Sequence, residues 1–437
     1  MLKIILHQLW NQRRQNGWIF FELLLVGFFL WTVIDPLSVL VGTKCIPNGY
    51  ESDHRYVVRL NAYDQSNTLY NQEFADDSIG TATYVRIMDE LRQMPEVESY
   101  AIVTGASFPN SSSFNGGSLW PDSVSQKKNE GRIGIQYYTY VASDESNLFK
   151  TYGIKDANTG GEVNVSEDSY EKLFISEYIA KQIFGTTNVV GKKVSFGSRE
   201  EVEIAGVFQN YKHREYEYPA PTVVEMTRRM GKGPYLHWRF LFTLKLKDGV
   251  DCEAFEKRFH EEVAPLLKQG NFYLHSLTPF KRLADEFAQQ SGTTNKLRLQ
   301  YALAAFALFS VFLGMLGTFW IRCNARRQEI GVMRSMGASK QSILFQFLLE
   351  AALLVTIAYL LIIGPLAGYM STEGMYSAIG NSGVKDTAYW MNRPVAHFVV
   401  VSVISYLVLL LTALIGTYIP VYKSSNILPA DALRDEQ

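Results

Sequence analysis

Apolar residues in this chain gather into four runs set apart by polar sequence. The first is "WIFFELLLVGFFLWTVIDPLSVLV", residues 18–41. Three more follow in the last third: "LQYALAAFALFSVFLGMLGTFWI" (299–321), "ILFQFLLEAALLVTIAYLLIIGPLAGYM" (343–370) and "VAHFVVVSVISYLVLLLTALIGTYI" (395–419). Each matches the length of about 20 mostly apolar residues that a helix needs to cross a bilayer. One such run alone reads equally well as a buried core helix. Four of them, with a long polar stretch after the first, read as a membrane protein. The expected fold is an α-helical four-span bundle, one plus three, with a large extracytoplasmic α+β domain. Its segments are an N-terminal piece 1–17, a span 18–41, the outer domain 42–297, a span 298–321, a loop 322–341, a span 342–370, a loop 371–394, a span 395–420 and a tail 421–437.

Within the outer domain the period changes. "HRYVVRL" alternates like a strand, "TATYVRIMDELRQM" has helical spacing, and "VESYAIV" is strand-like again. Residues 237–290 repeat that order, with Asp251 placed to cap the helix "DCEAFEKRFHEEVAPLLK". Two β-α-β halves are therefore expected, split by an inserted subdomain at about 105–236. The insertion opens with the turn-rich "TGASFPNSSSFNGGSLWPDS".

Charge adds orientation. Lys3, Arg13 and Arg14 precede the first run, and Arg322, Arg326, Arg327, Arg334 and Lys340 fill the short loop between the second and third. Lys423 and Arg434 follow the fourth, while the loop 371–394 holds only Lys385 and Arg393. Lysine and arginine collect on the cytoplasmic side. Both termini and loop 322–341 are thus expected in the cytoplasm of an inner, multi-pass membrane protein, with residues 42–297 periplasmic. The first run exceeds a signal-peptide core and no A-x-A site follows, so an uncleaved anchor is expected. The formal net charge of −1 gives no pull toward nucleic acid.

Candidate chemistry is sparse. The seven histidines are scattered and the three cysteines form no C-x-x-C, so no metal site is expected; a Cys45–Cys252 pair is left open. "GTTNVVGKK" (185–193) departs from a Walker A loop, with five residues between Gly185 and Gly191 and Lys193 in place of Ser/Thr. Ser176 reads as a helix N-cap, and Glu200, Glu201 and Glu203 as the solvated face of a strand. Acids inside spans are costly and by default functional candidates. Glu22 and Glu350 lie within reach of the cytoplasmic arginines, and Asp35-Pro36 is placed to end the first helix near its outer side.

The loop "CNARRQEIGVMRSMGASKQSILFQFLLE" (323–350) carries the sharpest signal. Ile330, Met333 and Met336 recur every third residue and are expected on one face of a short surface helix. Gly337 suits its end and Ser339 the N-cap of the next span. That face rests on lipid headgroups or docks on a cytoplasmic partner. Its elements, Arg326-Arg327, Glu329-Ile330-Gly331, Arg334, Gly337-Ala338-Ser339 and Phe347 with Glu350, resemble the signature of FtsX-like ABC transporter permeases. Pro420, Pro429 and Ala432-Leu433-Arg434 resemble that family's ending. "LFISEYIAKQIFG" and "VVGKKVSFGSREEVEIAGVF" resemble the periplasmic core domain of the MacB-like, macrolide-exporter branch through Ser176-Glu177, Phe184-Gly185, Val190-Gly191-Lys192 and Gly206-Val207.

The resemblance implies a porter-like outer domain, a dimer with a second copy or paralogue, and a pair of separate cytoplasmic ABC ATPase subunits. It leaves room for a periplasmic adaptor. ATP and Mg would sit on the partner; this chain, lacking a P-loop, is expected to be a permease subunit with no cofactor and no enzyme activity of its own. The coupling contacts would be Arg326, Arg327, Glu329, Ile330, Gly331, Met333, Arg334, Met336 and Gly337. The implied function is efflux or extraction of an amphiphilic substrate by mechanotransmission. Alternatives are lipoprotein release, non-transporting regulation of a cell-wall hydrolase, and a membrane-anchored sensor.

Overall fold

A computed structural model describes residues 13–104, 109–111, 115–141, 146–228, 240–374 and 393–426. Lys3, Lys385, Pro429, Ala432, Leu433 and Arg434, named above, lie outside the described residues. The chain divides into two compact units: a helical one, from the N-terminal segment to Gly42 and from Thr294 on, and a β-rich one over Thr43–Thr293.

Among the described residues the helical unit holds four helices long and apolar enough to cross a membrane: span 1 (Gly17–Cys45), span 2 (Thr293–Ala325), span 3 (Lys340–Thr372) and span 4 (Pro394–Ser425). They share one core, with Trp31, Phe319, Phe347, Ala351, Val355, Leu409 and Ala413 buried in it. Each helix outlasts its apolar run, because helical hydrogen bonding does not stop where hydrophobicity does. Asp35-Pro36 does not end span 1, contrary to expectation. The helix runs on to Cys45 with Pro36 inside it, since proline removes only one backbone bond and Asp35 finds a partner elsewhere in the bundle. Glycines let spans approach closely. A Cβ on Gly416 would meet the Phe312 carbonyl oxygen at 2.8 Å, and one on Gly314 would meet Glu22 Oε2 at 2.5 Å.

Among its described residues the β-rich unit is built on ten strands: β1 (Arg55–Ala62), β2 (Val97–Thr104), β3 (Asn115–Trp120), β4 (Ile133–Val141), β5 (Leu173–Ser176), β6 (Lys193–Phe196), β7 (Arg199–Phe208), β8 (Thr222–Thr227), β9 (Phe240–Leu246) and β10 (Phe272–Pro279). Strands β10, β1, β9 and β2 lie side by side and antiparallel. Tyr56, Val58 and Leu60 of β1 face the helices Asp77–Arg92 and Cys252–Arg258, while Val57 faces the opposite core with Phe149 and Tyr152. That is the period-two alternation of a strand buried on both faces. Asp251 caps the second helix as the sequence predicts, accepting from Glu253 N at 3.0 Å and Ala254 N at 3.3 Å.

The remaining strands go further than alternation reveals. β4, β3, β6, β7, β5 and β8 follow one another, and β8 pairs back onto β4 in parallel, so six strands close on themselves. Closure removes the exposed edges that short strands otherwise present. Ser176 departs from its expected role. It holds the N-cap position, yet its hydroxyl makes no cap bond and accepts instead from Thr222 N at 3.1 Å, tying β5 to β8. "GTTNVVGKK" is the turn between a helix and β6, with Gly185 and Gly191 at φ of +70° and +82°, and Lys192 rests over the Phe184 ring. Glu200, Glu201 and Glu203 pair with Lys127, Lys193 and Lys172.

Candidate functional site

Between spans 2 and 3 lies a short helix, Arg327–Ser335. Span 2 stops because Arg326 leaves helical geometry (φ −104°, ψ 18°). The short helix stops at Gly337, whose φ of +95° is open only to a residue without a side chain. Ala338 N donates to Met333 O at 2.9 Å and Gly337 N to Arg334 O at 3.1 Å, the paired bonds of a glycine-terminated helix. Ser339 then caps span 3 by accepting from Ser342 N at 3.1 Å. Arg334 Nη1 donates to Ala338 O across the turn. Six residues of "SMGASK" thus turn the chain with every step chemically specified.

The predicted face does not hold together. Ile330 (4% exposed) and Gly331 are buried in the bundle core, Met333 and Arg334 are half-buried, and Met336 (76%) is exposed. The reason is geometric: a step of three residues falls about 60° short of a full turn, so two steps carry Met336 roughly 120° away from Ile330. The outward apolar pair is Val332 with Met336, four residues apart, flanked by Gln328, Glu329 and Ser335. Ile330 is the anchor and Met336 the tip.

Charge binds this helix to the bundle. Arg326 donates to both oxygens of Glu329, at 2.7 and 3.0 Å, which holds the Glu329 carboxyl below the usual carboxylate range. The same guanidinium approaches Glu350 Oε2 at 3.5 Å and lies over the Phe347 ring. Glu350, 1% exposed, also takes a 2.7 Å bond from Arg322 Nη1, itself 4% exposed. Arg327 is half-buried beside them. Glu350 therefore meets the arginines as expected. Glu22 meets none of them among the described residues: it bonds Ser310 and lies against Gly314 of span 2.

A second buried pair went unread in the sequence. Asp35 of span 1 and His397 of span 4 are both 1% exposed, and His397 Nε2 lies 2.6 Å from Asp35 Oδ1. The available signal was that two ionisable groups in apolar runs each need a partner. Among the described residues no group of three or more His, Cys, Asp or Glu side chains is arranged to hold a metal. Cys45 and Cys252 are free thiols.

Against known proteins, residues 301–429 match the family model described as FtsX-like permease C-terminal. The macrolide export ATP-binding/permease protein MacB of Salmonella typhi is 25% identical over 215 residues, 47% of this chain and 31% of that protein. MacB of Neisseria gonorrhoeae is 23% identical over 211 residues, 46% and 31% of the respective lengths. The matched region thus spans about a third of these relatives. Among solved structures, the periplasmic region of MacB from Actinobacillus actinomycetemcomitans is similar, with a TM-score of 0.33 and 15% identity over 55% of this chain and 94% of that one. The matched residues 301–429 take in most of span 2, the short helix and spans 3 and 4, so this part of the chain is similar to the FtsX-like permease domain, and the chain as a whole resembles MacB-like ABC transporter permeases.

Proposed function

We propose that this chain is the membrane permease subunit of an ABC transporter and that Arg327–Ser335 is its coupling helix, seated on a cytoplasmic ATPase subunit. The observation that carries this reading is the division of labour along that helix. Ile330 and Arg326 fasten it to the bundle, while Val332 and Met336 stand exposed at 44% and 76%. An amphipathic helix held from behind and apolar in front fits a groove on a partner. The lysine and arginine distribution supports a cytoplasmic side for this helix and both termini, with the β-rich unit outside. The permease works as a dimer, ATP and Mg belong to the partner, and the porter-like outer unit moves when the coupling helix is displaced. The cargo is an amphiphile extracted from or expelled at the outer face, the role that the name of the MacB relatives carries for macrolides.

The test is capture of an ABC ATPase by the full chain purified in detergent. Wild type should retain the ATPase, and Val332→Asp/Met336→Asp should lose it by about 30-fold or more, the size of an interface hot spot. A double variant that captures the ATPase as well as wild type rejects the coupling role.

A further inference from the structure

The cluster beneath the short helix is more than an anchor. Four charged residues form a chain of contacts through three elements. Glu329, on the short helix, is gripped at both oxygens by Arg326. Arg326, at the break between helices, also reaches Glu350 on span 3 at 3.5 Å. Glu350 bonds Arg322 on span 2 at 2.7 Å. Arg322 Nε and Nη2 are buried without a hydrogen bond among the described residues, so the innermost cation has donors to spare. The outer joint is tight, the middle one is loose and the inner one is half-used.

Such an arrangement has two ways to share one guanidinium. Arg326 now spends its fork on Glu329 and only approaches Glu350. A shift of the short helix that loosens Glu329 lets Arg326 close on Glu350 Oε2, and the carboxylate then divides differently between Arg322 and Arg326. Glu350 sits on the face of span 3 that carries Phe347, Ala351 and Leu354 into the core, and its bond to Arg322 ties that face to span 2. A buried ion pair adds little net stability compared with an apolar pair of the same size. What it supplies is a discrete choice of partner.

We propose that Glu350 is a positioning residue that transmits displacement of the short helix to spans 2 and 3 through Arg326 and Arg322. This rests on the coupling-helix reading above. Three measurements on the full chain test it: capture of the ATPase, stimulation of that ATPase by the chain, and amide exchange over residues 327–335. Glu350→Gln should keep capture within about twofold, speed exchange in the short helix by about tenfold and abolish most of the stimulation. Glu350→Asp should restore part of it. Arg322→Met/Glu350→Leu, which exchanges the pair for apolar packing, should remain as thermostable as wild type and still be uncoupled. A double variant that is stable and fully coupled, or a Glu350→Gln chain matching wild type in exchange and stimulation, overturns the inference and leaves the coupling reading standing. If wild type captures no ATPase, the coupling reading falls and the transmission role falls with it.

Discussion

Among the described residues, the buried Arg55 and Lys212 of the β-rich unit are met mainly by backbone oxygens, whereas the buried Arg322 of the helical unit is met by a carboxylate on another helix. Arg55, 3% exposed, donates to Thr151 O and Asp53 O, both at 2.7 Å, and to Glu51 Oε2 at 2.6 Å. Lys212, fully buried, donates to Thr43 O at 2.5 Å and to Glu215 O at 3.3 Å. In the bundle, the Arg322 guanidinium faces the Glu350 carboxylate, and the imidazole of His397 likewise meets a side-chain carboxyl, that of Asp35. The cause is supply. A helix commits nearly all its carbonyls to its own amides, so helix walls have few acceptors left to lend. Loops and strand ends have them in reserve. A buried charge in a helical bundle must therefore be matched by a second charge, and that makes the pair breakable as a pair.

The comparison breaks most visibly at Asp35. Asp35→Ala leaves Nε2 of the buried His397 without its partner and should cost up to about 3 kcal/mol, the penalty for stranding a buried polar group. Asp35→Leu/His397→Leu should cost about 1 kcal/mol or less, since both polar groups leave together. Thermal unfolding of the purified chain in detergent measures both. If the single and double replacements cost the same, the two residues are not a matched pair.

Much of this was readable beforehand, and the part that was not shares one property. The four spans follow from composition over about 20 residues. The caps Asp251 and Ser339 and the helix end at Gly337 follow from two or three neighbouring residues. Local chemistry is legible locally. Asp35 and His397 are 362 positions apart, and Ser176 serves Thr222, 46 positions away. Their roles depend on which elements become neighbours. The closing of β8 on β4 is of the same kind, because a parallel pairing leaves no hairpin signal. Ile330 fell between the two cases: its helix was legible, but which side of that helix the bundle claims was not.

Lys212 sharpens the comparison through pH. Burial pushes its ammonium down to about 8, against about 10.4 for a free lysine. Between these values the unfolded chain holds a proton that the folded chain has released, so stability rises with pH across roughly 8 to 10.4 and the cost of burying the charge is present in full below 8. Lys212→Met removes that slope. The difference in unfolding free energy, wild type minus variant, should grow by on the order of 2 kcal/mol from pH 7.5 to 10. A difference that stays flat over that range means the carbonyl cage compensates the ammonium completely.

Solvated pairs set the lower limit of the comparison. Lys193 and Glu201 are 3.0 Å apart with side chains 58% and 63% exposed, on strands whose pairing already fixes their separation. Neither group gave up its water to reach the other, so neither is stranded when its partner goes. A double-mutant cycle with Lys193→Ala and Glu201→Ala should yield a coupling of about 0.5 kcal/mol or less, fading further in salt. The distance is close to that of Arg322–Glu350, so a coupling as large as the buried pair's would show that proximity alone governs these charges. A small value assigns most of the difference to desolvation.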